Sequence, residues 1–154
     1  MEKTSIISID EITKIEKQHL EFIQELLFEL TGKNELLDDK QILKDLKPYL
    51  DKFILLFIKM NHDLVGIITI QEAFAFYANG KYGIINELYI KPKFRSKGLG
   101  ELLIKESIKI AKHKNWKRID VTAPPGDKWK RTKEFYIQNG FQYTGPKLKY
   151  LIKQ

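Results

Sequence analysis

The stretch IKPKFRSKGLGELLIKE (Ile90–Glu106) ends a β-like run, passes through Pro92 and a cluster of cations, presents Gly98 and Gly100, and closes in a helical pattern. A strand therefore hands over to a helix at a glycine-rich, cationic junction. The first N–H groups of such a helix have no intrahelical partners and point back toward the strand end. The helix dipole adds partial positive charge there. Glycines at 98 and 100 lack the Cβ atoms that would hold a ligand's phosphates away from the backbone. Lys91, Lys93, Arg95 and Lys97 surround the opening. This chemistry suits a diphosphate. The junction lacks the G-x-x-x-x-G-K-[ST] of the nucleoside-triphosphate loop, and position 103 is Leu where a dinucleotide fingerprint needs its third glycine. Taken alone, Gly-Leu-Gly fits tight helix–strand packing equally well.

Outward from this junction the chain alternates strands and helices. Ser5–Ile9 reads as a strand, and Asp10 as the cap of a helix running to about Leu30, with Gly32 ending it. A second helix is expected from about Asp39 to Leu50. FILLFIKM and DLVGIITIQ flank Asn61-His62-Asp63 as a hairpin, and ANGK signals another turn. GIINELYI alternates, with Ile84, Asn86, Leu88 and Ile90 on one face and Ile85, Glu87 and Tyr89 on the other. A helix follows from Gly98 to about His113, then the strand RIDVTA, a break at PPGD, and a helix from about Lys128 to Asn139 stopped by Gly140. FQYTG and KLKYLIK read as closing strands around Gly145-Pro146. The order β-α-α-β-β-β-α-β-α-β-β gives an α/β (α+β) fold: one mixed β-sheet flanked by helices, with a right-handed parallel crossover around residues 83–123.

The 154 residues fit one domain, residues 1–154, and 43% hydrophobic content argues against disorder. Cysteine is absent, which removes disulfides, thiolate–metal sites and a cysteine nucleophile. His19, His62 and His113 lack zinc-motif spacing, so no metal is expected. The N-terminus has no signal pattern and no apolar run is long enough to span a bilayer, which predicts a soluble, cytoplasmic protein without membrane contact. The net charge of +7 is unevenly divided: residues 1–90 carry 10 Lys/Arg against 15 Asp/Glu, and residues 91–154 carry 17 against 5. Such a split suggests that the second half faces an anion.

LYIKPKFRSKGLGELL (Leu88–Leu103) closely resembles the acyl-CoA-binding motif of the GNAT (GCN5-related N-acetyltransferase) superfamily, L-x-[VI] at a strand end followed by [RQ]-x-x-G-x-[GA]. Leu88, Ile90, Arg95, Gly98 and Gly100 fill its positions. RTKEFYIQNGF (Arg131–Phe141) resembles the family's A-x-x-x-Y-x-x-x-G-F helix through Tyr136, Gly140 and Phe141. Thr132 stands where alanine is usual, and Trp129 where many members carry an asparagine. The resemblance implies acetyl-CoA in a gap between splayed parallel strands. Leu88, Tyr89 and Ile90 would meet the pantetheine and thioester through their backbone. The loop of Arg95, Ser96, Lys97, Gly98, Leu99, Gly100 and Glu101 would hold the pyrophosphate.

N-acetyl transfer by direct attack is the implied reaction, with an amine nucleophile and a thiolate leaving group. An alkylamine is almost wholly protonated at neutral pH, its pKa being about 10.4. A base is therefore useful, and Glu87 is the best-placed carboxylate, with Asp120 as its rival. The resemblance puts Tyr136 in the role of acid for the thiolate, a buried structural tyrosine being the alternative. The acidic first half, including Glu21, Glu25, Glu29, Glu35, Asp38, Asp39 and Asp45, suggests a cationic acceptor. A small-molecule amine, a peptide lysine or an N-terminal amine all satisfy it. Glutamates spaced four apart also mark an ordinary solvated helix stripe. A homodimer is compatible with the sequence. Two readings from other classes stay open: a CoA-binding module without catalysis, and a basic nucleic-acid-binding domain, although no recognition-helix or RNP-type sequence supports the latter.

Overall fold

The apolar run Phe53–Met60 is buried on both faces, as befits an interior strand. Ile54, Leu56 and Ile58 enter one core, and Leu55 and Phe57 the other. Burying Phe57 alone contributes roughly 1.5–3 kcal/mol. A computed structural model describes residues 4–32, 38–122, 126–145 and 147–153. Its strands are β1 (Ile7–Ile12), β2 (Phe53–Met60), β3 (Asp63–Ala75), β4 (Gly80–Ile90) and β5 (Ile119–Val121). They lie side by side in chain order; β1 to β4 are antiparallel, and β5 is parallel to β4. The mixed sheet and the parallel crossover agree with expectation.

Helix α1 (Lys17–Thr31) covers one face with Phe22 and Leu26, against Leu55, Phe57, Ile67 and Tyr89. Helix α3 (Leu99–His113) covers the other with Leu99, Leu103 and Ile104, joined by Tyr136 of α4 (Lys130–Gln138). Helix α2 (Asp39–Leu46) is capped by the Asp38 carboxylate, which accepts from the Gln41 N–H at 3.1 Å, and it buries no residue. Pro48 explains why α2 stops short of Leu50, giving way to a single 3-10 turn at Lys47–Tyr49.

Three expectations need correction. Asp10 does not cap a helix: it lies in β1 opposite Phe57, and its carboxylate meets Lys59 at 3.1 Å. Pairing along β2 draws Ile12 into the strand, and α1 begins only at Lys17, behind Glu16, whose N–H donates to His19 Nδ1 at 3.0 Å. The supposed face of β4 shared by Ile85, Glu87 and Tyr89 is broken by a register shift described below. The closing strands are absent among the described residues from Phe141 to Lys153. Alternation supplies strand propensity but not a partner. The neighbouring β5 is only three residues long, and Leu148 stands 91% exposed rather than against the sheet. Ala123, the Pro124-Pro125 break, Glu35 and Pro146 lie outside the described residues.

Trp116 anchors the crossover. It is buried beneath β4, and its Nε1–H donates to the Glu72 carboxylate of β3 at 2.7 Å. A Cβ at Gly83 would lie 2.4 Å from the Trp116 ring. Gly83→Ala should therefore lower stability by about 1–3 kcal/mol, read as a reduced urea midpoint with unchanged m-value. An unchanged midpoint would show that Trp116 moves aside without cost.

Candidate active site

Strand β4 pairs with β3 along its length, but with β5 only through Gly83, Ile84 and Ile85, opposite Ile119, Asp120 and Val121. Beyond Ile85 no strand borders that edge among the described residues. The backbone of residues 86–90 is thus available on one side. On the β3 side, Ile70 faces Ile85 while Thr69 faces Glu87, so Asn86 is an extra, bulged residue. The bulge reverses the alternation. Ile85 packs in the α3 core together with Leu88 and Ile90, whereas Glu87 follows the phase of Tyr89, which packs against α1. Hence Leu88 and Ile90 offer a ligand only their backbone.

Glu87 is partly buried, and burial pushes its carboxyl above the ordinary range. Its N–H donates to Thr69 Oγ1 at 3.0 Å, and the Thr69 hydroxyl in turn donates to the Glu87 carboxylate. Asp120 is differently placed. Both its oxygens accept from Arg118, at 2.6 and 2.8 Å, and the guanidinium sits over the Tyr77 ring. A carboxylate held this way by an arginine is a poor rival for proton abstraction.

After β4, a 3-10 turn at Pro92–Phe94 leads to Ser96 and Gly98, both with left-handed backbone (φ 62° and 78°). Gly98 begins α3 without any side-chain cap, and the first helical bond runs from the Leu102 N–H to the Gly98 carbonyl at 3.2 Å. The N–H groups of Leu99, Gly100 and Glu101 remain unclaimed by the helix. The two glycines divide the two sequence interpretations. A Cβ on Gly98 would meet nothing within 4 Å, leaving backbone open to a ligand, whereas a Cβ on Gly100 would sit 3.1 Å from the Phe135 ring of α4. Gly100 thus serves helix packing. The Leu99 side chain is core, and Glu101 pairs with Lys105 at 3.2 Å.

The expected ring of four cations is incomplete. Arg95 turns to α1: its Nε–H donates to the Ile90 carbonyl at 2.8 Å, its Nη2 meets the Glu29 carboxylate, and it lies over the Tyr89 ring. Lys91 pairs with Glu25 at 3.6 Å. Burial, with Glu29 beside it, pushes the Tyr89 hydroxyl up to about 12. Lys97 stays near the loop, over the Phe94 ring at 6.0 Å. The glutamate stripe of α1 is therefore partly a docking face for the segment that follows β4 rather than a purely solvated one. Tyr136 is 6% exposed between the Phe135 and Phe141 rings, each at 5.3 Å, and burial pushes its hydroxyl well above the ordinary value. It makes no side-chain hydrogen bond among the described residues. Sequence reasoning missed Thr69, although a lone hydroxyl in the apolar run VGIITIQ was a visible signal.

The profile described as the acetyltransferase (GNAT) family matches residues 20–141. The chain belongs to that family. Curated proteins yield no sequence match. Among solved structures, a transcriptional regulator from Bacillus halodurans C-125 is 18% identical with a TM-score of 0.79, covering 96% of this chain and 100% of that one. The glucosamine-6-phosphate N-acetyltransferase from Arabidopsis thaliana is 19% identical with a TM-score of 0.76, covering 96% and 99%. Aminoglycoside N-acetyltransferase AAC(6')-Iy in complex with CoA is 18% identical with a TM-score of 0.74, covering 100% and 99%. At such identities these likenesses speak to the GNAT fold alone.

The contact at Gly100 gives a direct test of its packing role. Gly100→Ala should gain helix propensity yet crowd Phe135, leaving stability slightly reduced. In a Phe135→Leu background the same change should stabilise. The resulting coupling is about 1 kcal/mol in a double-mutant cycle followed by thermal or urea unfolding; additive effects would remove the packing role.

Proposed function

We propose that this GNAT domain, spanning residues 1–154, is an acetyl-CoA-dependent N-acetyltransferase acting by direct transfer to a primary amine. The supporting observation is the edge of β4 beyond Ile85, which no strand borders among the described residues and which runs into the uncapped start of α3. The residues present fit the cosubstrate: the open side of Gly98 and the unclaimed N–H groups at 99–101 suit a diphosphate, with Lys97 as the nearby cation. The backbone of Leu88, Tyr89 and Ile90 suits the pantetheine and the thioester carbonyl. The loop holds the phosphates mainly through its backbone, because Arg95 and Lys91 are engaged by α1.

In this reading the amine nitrogen forms a bond to the acetyl carbon and the carbon–sulfur bond breaks, its electron pair leaving on sulfur. Glu87 takes the proton lost by the amine, directly or through water. Its raised pKa brings its basicity closer to working pH than an ordinary carboxylate. Tyr136 faces the thiolate as a neutral hydroxyl donor. Burial keeps it protonated, but full transfer to a thiolate of pKa about 8.5 becomes uphill, so its contribution is a hydrogen bond that grows as charge develops on sulfur. The acceptor is a cationic amine, small or peptidic. In support, a cleft of about 360 Å³ between α1 and the β2–β3 turn is lined by Glu21, Glu25 and Asp63 against Lys91, which pairs with Glu25.

Thiol release from acetyl-CoA, followed with a thiol-reactive dye across amines and short peptides, tests this reading without background, since the protein has no cysteine. Turnover should favour cationic amines. Tyr136→Phe should lower kcat about 10²-fold with little change in acetyl-CoA affinity. Glu87→Gln should lose most rate above the Glu87 midpoint and below the amine pKa, where the carboxylate is ionised and free amine is scarce. It should lose least on the acid limb, where Glu87 is already protonated. Binding of acetyl-CoA without turnover of any amine would identify a cofactor-binding module instead.

A further inference from the structure

The bulge at Asn86 creates a local problem. Where the β3–β4 ladder slips between Ile70/Ile85 and Thr69/Glu87, the Glu87 N–H finds its acceptor in a side chain, the Thr69 hydroxyl, at 3.0 Å. An amide left without an acceptor on this partly buried strand would be costly. Thr69 is itself only 5% exposed, between the strands of the sheet. With an oxygen lone pair occupied by that N–H, the hydroxyl hydrogen is directed elsewhere, and it is given to the carboxylate of the same residue. A single hydroxyl thus both closes the bulge and holds the carboxyl group. Neither the β-branched isostere Val nor Ala can do either, whereas Ser can do both.

We propose that Thr69 is a positioning residue for Glu87, fixing both the orientation and the protonation of its carboxyl group through this pair of hydrogen bonds. It extends the proposed function by one residue and rests on Glu87 as the base. A hydrogen bond donated to the ionised form favours that form, opposing burial. Burial pushes the Glu87 carboxyl upward, and the side chain seen to donate a hydrogen bond to it is Thr69. The charged groups just past the end of β4 and on α1, Lys91 with Glu25 and Arg95 with Glu29, are paired with one another, as are Arg118 and Asp120 at β5.

The test is a carbon-detected NMR titration of the Glu87 carboxyl in the full chain, for wild type, Thr69→Val and Thr69→Ser, alongside the pH–rate profile of each. Thr69→Val should raise the Glu87 midpoint and move the acid limb of the rate profile to higher pH, lowering rates on that limb about tenfold while the plateau changes little. Thr69→Ser should restore both. If Thr69→Val does not fold, Thr69→Ala removes the same hydroxyl and is read identically. An unmoved Glu87 midpoint in the hydroxyl-free variant would overturn the proposal. A midpoint that moves while the acid limb stays fixed would leave the Thr69–Glu87 link standing and instead remove Glu87 from the chemistry.

Discussion

The architecture around the candidate site depends on one additional residue in β4. Without Asn86, Ile85, Glu87 and Tyr89 would share a face, and Leu88 and Ile90 would turn away from the α3 core. With it, Ile85, Leu88 and Ile90 all pack in the α3 core, Tyr89 packs against α1, and Glu87 is in phase with Tyr89. A bulge also bends its strand and increases local twist. Pairing with β5 ends at Ile85, immediately before Asn86. The loss of ladder, the reversal of phase and the edge left unpaired among the described residues are therefore adjacent along the chain, and the carboxylate follows directly.

Sequence patterns were legible where burial and local chemistry agree. The apolar run of β2, the Asn61-His62 turn with both residues at positive φ, and the amphipathic α3 all have strong local signals. The glycine junction was legible as a strand-to-helix turn, though not the division of labour between Gly98 and Gly100, because Phe135 arrives from another helix. Asp10 looked like a cap because its sequence neighbours allow one; pairing with β2 is a long-range term that local sequence does not carry. The bulge was illegible for the same reason, since it is a property of the β3–β4 pair. Leu148, Tyr150 and Ile152 alternate with lysines as strand residues do, yet alternation says nothing about whether an edge will receive them.

The division of charge along the chain acquires a structural meaning at the junction of α1 and β4. Glu25 and Glu29 come from the acidic half, Lys91 and Arg95 from the basic half, and they meet in two ion pairs. Partly exposed pairs of this kind contribute about 0–1 kcal/mol each, so their importance lies in placement rather than stability. Arg95 is held at the Ile90 carbonyl, at Glu29 and over Tyr89. It links the end of β4 to α1 and holds the entry to the glycine loop. An anion arriving at Gly98 would meet Lys97 and backbone N–H groups first.

Burial shifts Glu87 and Tyr136 in the same direction, with opposite consequences for the proposed reaction. A base gains from a pKa nearer neutrality, because each proton it accepts is held more firmly, provided enough of it stays ionised at working pH. A donor to a departing thiolate loses driving force as its own pKa rises, yet it gains certainty of being neutral. Tyr136 is therefore better suited to stabilising charge than to surrendering a proton. The two residues also differ in support. Glu87 accepts a hydrogen bond from the Thr69 hydroxyl, whereas Tyr136 is packed between Phe135 and Phe141 and has no polar partner among the described residues. Its hydroxyl is consequently uncommitted within that set, which is what a group whose hydrogen bond should strengthen only in the transition state requires.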